Sequence, residues 1–238
     1  MLKDLKKLVI EGNRELPKLG LVKYSWGNVS GISRSLGVIV IKPVGMPYEE
    51  LTMENISVVD LKGKILEGGL PSVDLPTHME LYRAFPECNA IVHTHSTYAT
   101  MWAQACMSLP CFGTTHADYF YRDVPCTRIL RDDEITDGYE KETGKVIVET
   151  FNGRNPSHTP AVLVANHGPF TWGKDVFDAV HKSVVLEETA KIALGMRIIN
   201  PSALQIGENM MEKHYFRKHG PNAYFINDDH GRGRVSNV

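Results

Sequence analysis

"IVHTHSTYAT", residues 91–100, joins a short apolar run to two histidines two positions apart. Ala90-Ile91-Val92 reads as a strand. Residues i and i+2 of a strand face the same way. His93 and His95 are therefore expected to leave the sheet side by side. Two imidazoles on one face make half a metal site, because a catalytic zinc takes three protein ligands and keeps a position open. Two further candidates lie at the ends of neighbouring elements. Asp74 starts a predicted helix just before the His93 strand, and His167 sits where an apolar strand runs into "NHGPF" (166–170). The glycine beside His167 permits close backbone approach. A mixed imidazole and carboxylate set suits Zn²⁺, Mn²⁺ or Co²⁺ better than Ca²⁺ or Mg²⁺. Read on residues alone, H-x-H also describes two hydrogen-bonded sheet histidines. His78, His116, His158, His181, His214, His219 and His230 each read as structural or surface groups.

Around this stretch the apolar periodicity predicts interleaved helices and strands. Leu2, Leu5, Leu8, Val9 and Leu16 recur at helical spacing over 2–17, with Pro17 and Gly20 as the stop. Residues 38–41 are a short apolar strand. Residues 56–60 and 64–67 flank a Lys62-Gly63 turn and read as a hairpin. A helix over 75–85 carries Pro76 in its first turn, with Asp74 or Ser72 as its cap. Further helices are expected over 97–106, 175–196 and 202–219. A strand over 161–166 pairs with 170–173. Trp26, Trp102 and Trp172 read as core or interface packing. The polar segment "DDHGRGRVSNV" (228–238) reads as a frayed tail. The hairpin-paired strands favour a mixed or antiparallel sheet covered by helices over a doubly wound parallel one.

Bulk composition narrows the functional classes. The 238 residues suffice for one large domain with a real core. A net charge of −2 suggests neither a nucleic-acid nor a membrane surface. No apolar run approaches the roughly 20 residues that span a bilayer. The opening "MLKDLKKLVIEGN" lacks the apolar segment and cleavage site of a signal peptide. Cys88, Cys106, Cys111 and Cys126 show no C-x-x-C pairing and read as reduced thiols, which implies a cytoplasmic protein.

Ten segments carry a family resemblance. They are "WGNVS" (26–30), "VIVIKPVG" (38–45), "PSVDLPTH" (71–78), "IVHTHSTYAT" (91–100), "GTTHADYFY" (113–121), "PCTR" (125–128), "ETGKVIVETF" (142–151), "NHGPFTWGK" (166–174), "DAVHKSVVLEE" (178–188) and "KHYFRKHGPNAY" (213–224). Together they resemble the class II aldolase family, and within it the branch that epimerises L-ribulose 5-phosphate at C4. The resemblance implies a three-layer α/β/α fold around a mostly antiparallel sheet, with residues 1–225 as one domain and 226–238 as a polar tail. It implies a homotetramer with active sites at subunit interfaces. It places metal ligands on Asp74, His93, His95 and His167, for Zn²⁺ or a similar divalent ion. The implied substrate is a phosphorylated pentulose. Its C4–H is not acidic, so inversion goes by cleaving C3–C4, rotating the aldehyde fragment and rejoining it on its other face. Such a route needs an acid–base group for each face.

The resemblance also assigns the other site residues, and here the chain departs from the family. One acid–base group falls on Asp118, although an Asp there also fits a simple turn cap. The family's second group, a C-terminal tyrosine reaching into a neighbouring subunit's site, falls on Phe225, which has no ionisable hydroxyl. Tyr224 and His214 are both candidates for its work. Substrate and phosphate contacts fall on Gly27, Asn28, Lys42, Val44, Gly45, Ser72, Val73 and Thr114, with Val44 and Val73 replacing family serines. Each replacement removes a hydroxyl donor, and an unmade hydrogen bond to a charged group costs about 1.5–3 kcal/mol. Thr114, Thr115 and His116 either line the site or order the loop bearing Asp118. Glu140 opens a helix, and Arg217 and Lys218 read as an ordinary cationic helix end. The three departures point to an altered substrate, an impaired epimerase or an engineered chain. Two other readings remain. A class II aldolase that releases its aldehyde tends to carry glutamate where Asp74 stands. An adducin-like scaffold would be expected to lose its metal ligands.

Overall fold

Val38-Ile39-Val40-Ile41 is apolar on both faces, so it must be covered on both. The computed structural model describes residues 1–224 in full and the backbone of 225–227 and 233–235. In chain order the elements are α1 (Leu2–Lys18), β1 (Gly27–Ser33), β2 (Val38–Ile41), β3 (Ser57–Asp60), β4 (Ile65–Glu67), α2 (Leu75–Ala84) and β5 (Ala90–Thr94). Then come α3 (Thr97–Gln104), α4 (Thr114–Ala117), α5 (Asp132–Thr136), α6 (Tyr139–Thr150), β6 (Ala161–Leu163) and β7 (Pro169–Gly173). The last are α7 (Val176–Ile199), α8 (Glu208–Phe216), β8 (Phe225–Asn227) and β9 (Gly233–Val235).

The first seven strands form one sheet in the order β4-β3-β2-β1-β5-β7-β6. Every neighbouring pair in it is antiparallel. Alternation sorts the side chains between two helical layers. Val38, Val40 and Val92 pack with Val9, Leu16, Val176 and Val180 from α1 and α7. Ile39, Ile41 and Ile91 face the other way, against Leu75, Leu81, Tyr82 and Ile147 from α2 and α6. The expected α/β/α layering and antiparallel sheet are therefore present.

One local device decides where the site can form. β2 pairs with β1 only from Ser30 onward, so Val29 has no strand neighbour on that side. The Asn13 side chain supplies one. Its Oδ1 accepts from Val29 N–H at 2.9 Å, and its Nδ2 donates to Val29 C=O at 3.0 Å. This keeps β1 extended to Gly27 and in register with β5, where Asn28 stands opposite His93 and Ser30 opposite Ile91.

Several expectations change. The 161–166 strand ends at Leu163, because the chain turns through Val164–Gly168 with Val164 N–H bonded to Gly168 C=O and Asn166 at φ 61°. The helix expected over 202–219 is confined to Glu208–Phe216. Before it, Ile206 N–H bonds to Cys111 C=O, and Gly207 opens the first turn. Asp74 sits at the N-cap of α2, but its carboxylate makes no capping hydrogen bond. Trp102 and Trp172 are buried, whereas Trp26 is 55% exposed and lies against Tyr24. Most of the tail expected to fray lies outside the described residues. Its described part, 233–235, forms β9, which pairs with β8 as a two-stranded sheet. All four cysteines are free thiols.

Ile91→Ala removes a fully buried side chain from the α2/α6 face. It is expected to cost about 2–5 kcal/mol in urea unfolding. Ile65→Ala, on the exposed edge strand β4, is expected to stay within about 0.5 kcal/mol. Equal effects would contradict this layering.

Candidate metal centre and active site

β5 carries His93 on the face turned to α2, opposite Asn28. His93 stacks on Phe170 of β7 at 4.2 Å between ring centroids. His95 lies just past the strand end. The backbone after it is held by Glu187 of α7, whose carboxylate accepts from the N–H groups of Tyr98 and Ala99 at the start of α3. His167 comes from the β6–β7 turn. There Gly168 matters, because a Cβ at that position would meet Thr94 O at 2.9 Å. The turn can thus press against β5 and bring its histidine to the pair.

The three candidate ligand nitrogens of His93, His95 and His167 lie within 4.8 Å of one another. Asp74 lines the same cavity. Its Oδ2 accepts from Asn28 Nδ2 at 2.7 Å and from Ser72 Oγ at 3.2 Å. Burial pushes the Asp74 pKa up, but the imidazoles of His93, His78 and His167 and the Asn28 amide outweigh it and leave the carboxyl below its ordinary value. Burial, reinforced by His93 and His95, lowers His167 to about 3. Burial and His93 also lower His95.

These features fit a divalent transition metal. His95 and His167 are biased to the neutral form that ligates. His93 Nδ1 is 3.0 Å from Pro169 C=O, which leaves Nε2 for an ion. His167 Nδ1 is 3.1 Å from the Tyr139 hydroxyl. Partners of this kind orient metal-binding imidazoles and fix their tautomers. Nothing local in the sequence links Tyr139 to residue 167.

The cavity is about 470 Å³. Gly27, Asn28, Lys42, Val44, Gly45, Ser72 and Val73 line it, together with Trp26, Tyr139 and Glu140. Lys42 is buried, 3% exposed, with its Nζ 3.4 Å from Pro43 C=O and 5.0 Å from the Tyr48 ring centroid. Burial lowers its pKa, against the pull of Asp74. No carboxylate forms an ion pair with Lys42 among the described residues, so Asp74 acts on this buried amine only at a distance. Val44 and Val73, 43% and 59% exposed, present apolar surface beside it. Asn28 Oδ1 is buried without a hydrogen-bond partner among the described residues.

Asp118, His214, Tyr224 and Thr114 line no part of this cavity within one chain. They gather at α4 and α8. Asp118 Oδ1 accepts from Arg217 Nε at 3.0 Å and lies 3.0 Å from His214 Nδ1. Its Oδ2 accepts from Arg217 Nη2 at 2.7 Å and lies 3.4 Å from Lys218 Nζ. Burial pushes this carboxyl up, but the hydrogen bonds from Arg217 and His214 outweigh it and hold it below its usual range. Arg217 and Lys218 are therefore more than a cationic helix end. Thr114 opens α4, where its C=O accepts from Asp118 N–H, so it orders the aspartate's backbone. Tyr224 N–H bonds to Arg217 C=O, and its ring lies under Lys213 Nζ at 5.1 Å. The Phe225 side chain lies outside the described residues.

A helix-covered antiparallel sheet with a three-histidine cluster at its strand ends defines a metal-dependent aldolase-type enzyme class. Consistent with this, the chain belongs to the class II aldolase and adducin N-terminal domain family, whose model matches residues 7–194. It is 52% identical over 225 residues to the L-ribulose-5-phosphate 4-epimerase UlaF of Salmonella paratyphi C, covering 94% of this chain and 99% of that protein. The UlaF epimerase of Salmonella choleraesuis matches to the same extent. Among solved structures, an L-fuculose 1-phosphate aldolase superposes with a TM-score of 0.76 at 26% identity, covering 89% of this chain and 94% of the other. A putative aldolase/epimerase/decarboxylase, YgbL from Klebsiella pneumoniae, gives 0.70 at 26%, covering 88% and 97%. No helix among the described residues is long and apolar enough to cross a membrane.

His167→Ala should abolish tight Zn²⁺ or Co²⁺ binding, read by equilibrium dialysis and elemental analysis. Unchanged affinity would exclude the imidazole cluster as the metal centre.

Proposed function

We propose that this chain is a metal-dependent L-ribulose-5-phosphate 4-epimerase, interconverting L-ribulose 5-phosphate and D-xylulose 5-phosphate by cleavage and re-formation of the C3–C4 bond. The observation that carries this reading is one cavity lined both by three convergent imidazoles and by the buried Lys42, which forms no direct ion pair among the described residues. A sugar phosphate offers oxygens to the first and an anion to the second. The extensive identity to curated epimerases supports the choice of reaction over aldehyde release.

Asp74, His93, His95 and His167 would hold the ion, with Zn²⁺ the first choice and Mn²⁺ or Co²⁺ the others. When bound, the ion supplies Lewis acidity to the oxygens of the substrate. Lys42 supplies the charge that draws the phosphate, and Asn28 adds polar contact while bracing Asp74. Gly27 and Gly45 let the backbone approach the ligand. At Gly27 a Cβ would collide with His93 O at 2.7 Å. Ser72 keeps its hydroxyl within the Asn28–Asp74 network. Val44 and Val73 hold the phosphate end by shape rather than by hydroxyl donors, which predicts a weaker grip on the anion.

Inversion at C4 requires one group to remove the C4 hydroxyl proton and another to return a proton after the fragment has turned. Asp118, ionised and backed by Arg217, suits the first role. His214 or Tyr224, from the same cluster, suits the second in place of the hydroxyl that Phe225 lacks. Since this cluster stands apart from the metal cavity within one chain, we assign it to the site of a neighbouring copy in a homotetramer. Exposed Tyr24, Trp26, Leu70 and Val73 at the cavity and next to it supply apolar surface for that neighbour. A cytoplasmic location accords with the four free thiols.

Incubation of the Zn²⁺-loaded protein with L-ribulose 5-phosphate, followed by NMR, should show D-xylulose 5-phosphate forming catalytically. Accumulation of dihydroxyacetone and glycolaldehyde phosphate alone would make the chain an aldolase. Absence of any reaction with metal bound would redirect the search to a substrate fitted to Val44 and Val73.

A further inference from the structure

His78 lies one helical turn beyond Asp74, and its N–H bonds to Asp74 C=O at 3.1 Å. Its side chain is wholly buried. Nδ1 is 2.7 Å from Ser30 Oγ, and that oxygen is 2.7 Å from the Tyr82 hydroxyl. Nε2, in contrast, has no hydrogen-bond partner among the described residues. A buried polar atom left without a partner is costly, so it needs an explanation.

The strand register supplies one. Ser30 and Asn28 are two apart on β1 and so share the face turned to α2. Asn28 grips the Asp74 carboxylate, and Ser30 grips the His78 ring. Strand and helix are thus tied by two parallel links, one ending on Asp74 and the other one turn below. Phe170 joins them to the imidazole cluster. It stacks on His93 at 4.2 Å and meets His78 edge-on at 5.9 Å. Burial keeps the His78 ring neutral, with its pKa lowered to about 3. A helical side chain leans toward the helix N-terminus, over the preceding turn, so the His78 ring lies toward Asp74, four residues earlier.

We propose that His78 is a positioning residue for Asp74: Tyr82 O–H donates to Ser30, Ser30 O–H donates to His78 Nδ1, and the imidazole proton is thereby held on Nε2, turned toward the Asp74 carboxylate. In this tautomer the ring presents the positive end of its dipole to the anion. The opposite direction of the chain would present a nitrogen lone pair to it. The relay holds Asp74 oriented for the metal without touching substrate. This inference rests on the metal-site reading above.

The test is Zn²⁺ affinity by competition titration, together with the visible spectrum of the Co²⁺-loaded protein. His78→Phe keeps a ring and removes the donor. Its Zn²⁺ affinity should fall 10–100-fold, the usual range for outer-shell changes, with shifted Co²⁺ bands. His78→Gln retains a donor at Nε2 and should recover most of the affinity. Ser30→Ala, a smaller change that decides the matter should His78→Phe not fold, should move affinity and spectrum in the same direction by less. Wild-type affinity and spectrum in the folded variants would overturn the inference. Failure of the wild-type protein to bind Zn²⁺ would overturn both this inference and the metal-site reading.

Discussion

The antiparallel register that sets Asn28 opposite His93 governs the rest of the site. A slip of one residue would turn every side chain of β1 to the other face. Asn28 would then leave Asp74, and Ser30 would leave His78. Asn13 guards this register by acting as a strand neighbour to Val29, where β2 has already ended. The polar centre thus depends on a buried amide in α1, on the opposite side of the sheet. The apolar layers matter in the same way. Phe170 is both a core residue of the α2/α6 layer and the floor on which His93 rests.

Electrostatics then divides the labour between two clusters. In the cavity, burial biases His95 and His167 toward neutral imidazole, while neighbouring groups keep Asp74 ionised. That is a donor set awaiting a cation. Lys42 is the reverse, a cation withdrawn from water beside apolar valines, awaiting an anion. At α4 and α8, cationic side chains surround one carboxylate, so Asp118 is ionised and rigidly aimed. A composite site built from neighbouring copies would bring the two clusters to the same sugar.

Elements with strong local patterns could be read directly from the sequence. The doubly apolar β2, the H-x-H strand and the β6–β7 hairpin announce themselves as short apolar runs, and α1 and α7 through helical spacing. His93, His95 and His167 were legible because their residue type sits at strand ends. What escaped depends on contacts distant in sequence. Tyr139 meets His167 across 28 positions, and Arg217 meets Asp118 across 99. Periodicity carries no trace of either. Asp74 was legible as a helix start, but its carboxylate is claimed by Asn28, 46 residues earlier, rather than by its own helix. Of the two readings open for Trp26, core or interface, its exposure at the cavity excludes the core. α8 is shorter than its helix-compatible sequence, because Gly207 and the contact of Ile206 with Cys111 set a different path before it.

The most direct test of the composite site is subunit complementation. Asp118→Asn lacks the acid–base cluster's carboxylate, and His95→Asn lacks a metal ligand. Each variant alone should be nearly inactive as an epimerase. Dissociated, mixed and reassembled, they should regain activity well above either parent, because some sites would then combine an intact His95 with an intact Asp118 from a neighbour. Mixed oligomers as inactive as the parents would contradict the account and require Asp118 to act elsewhere.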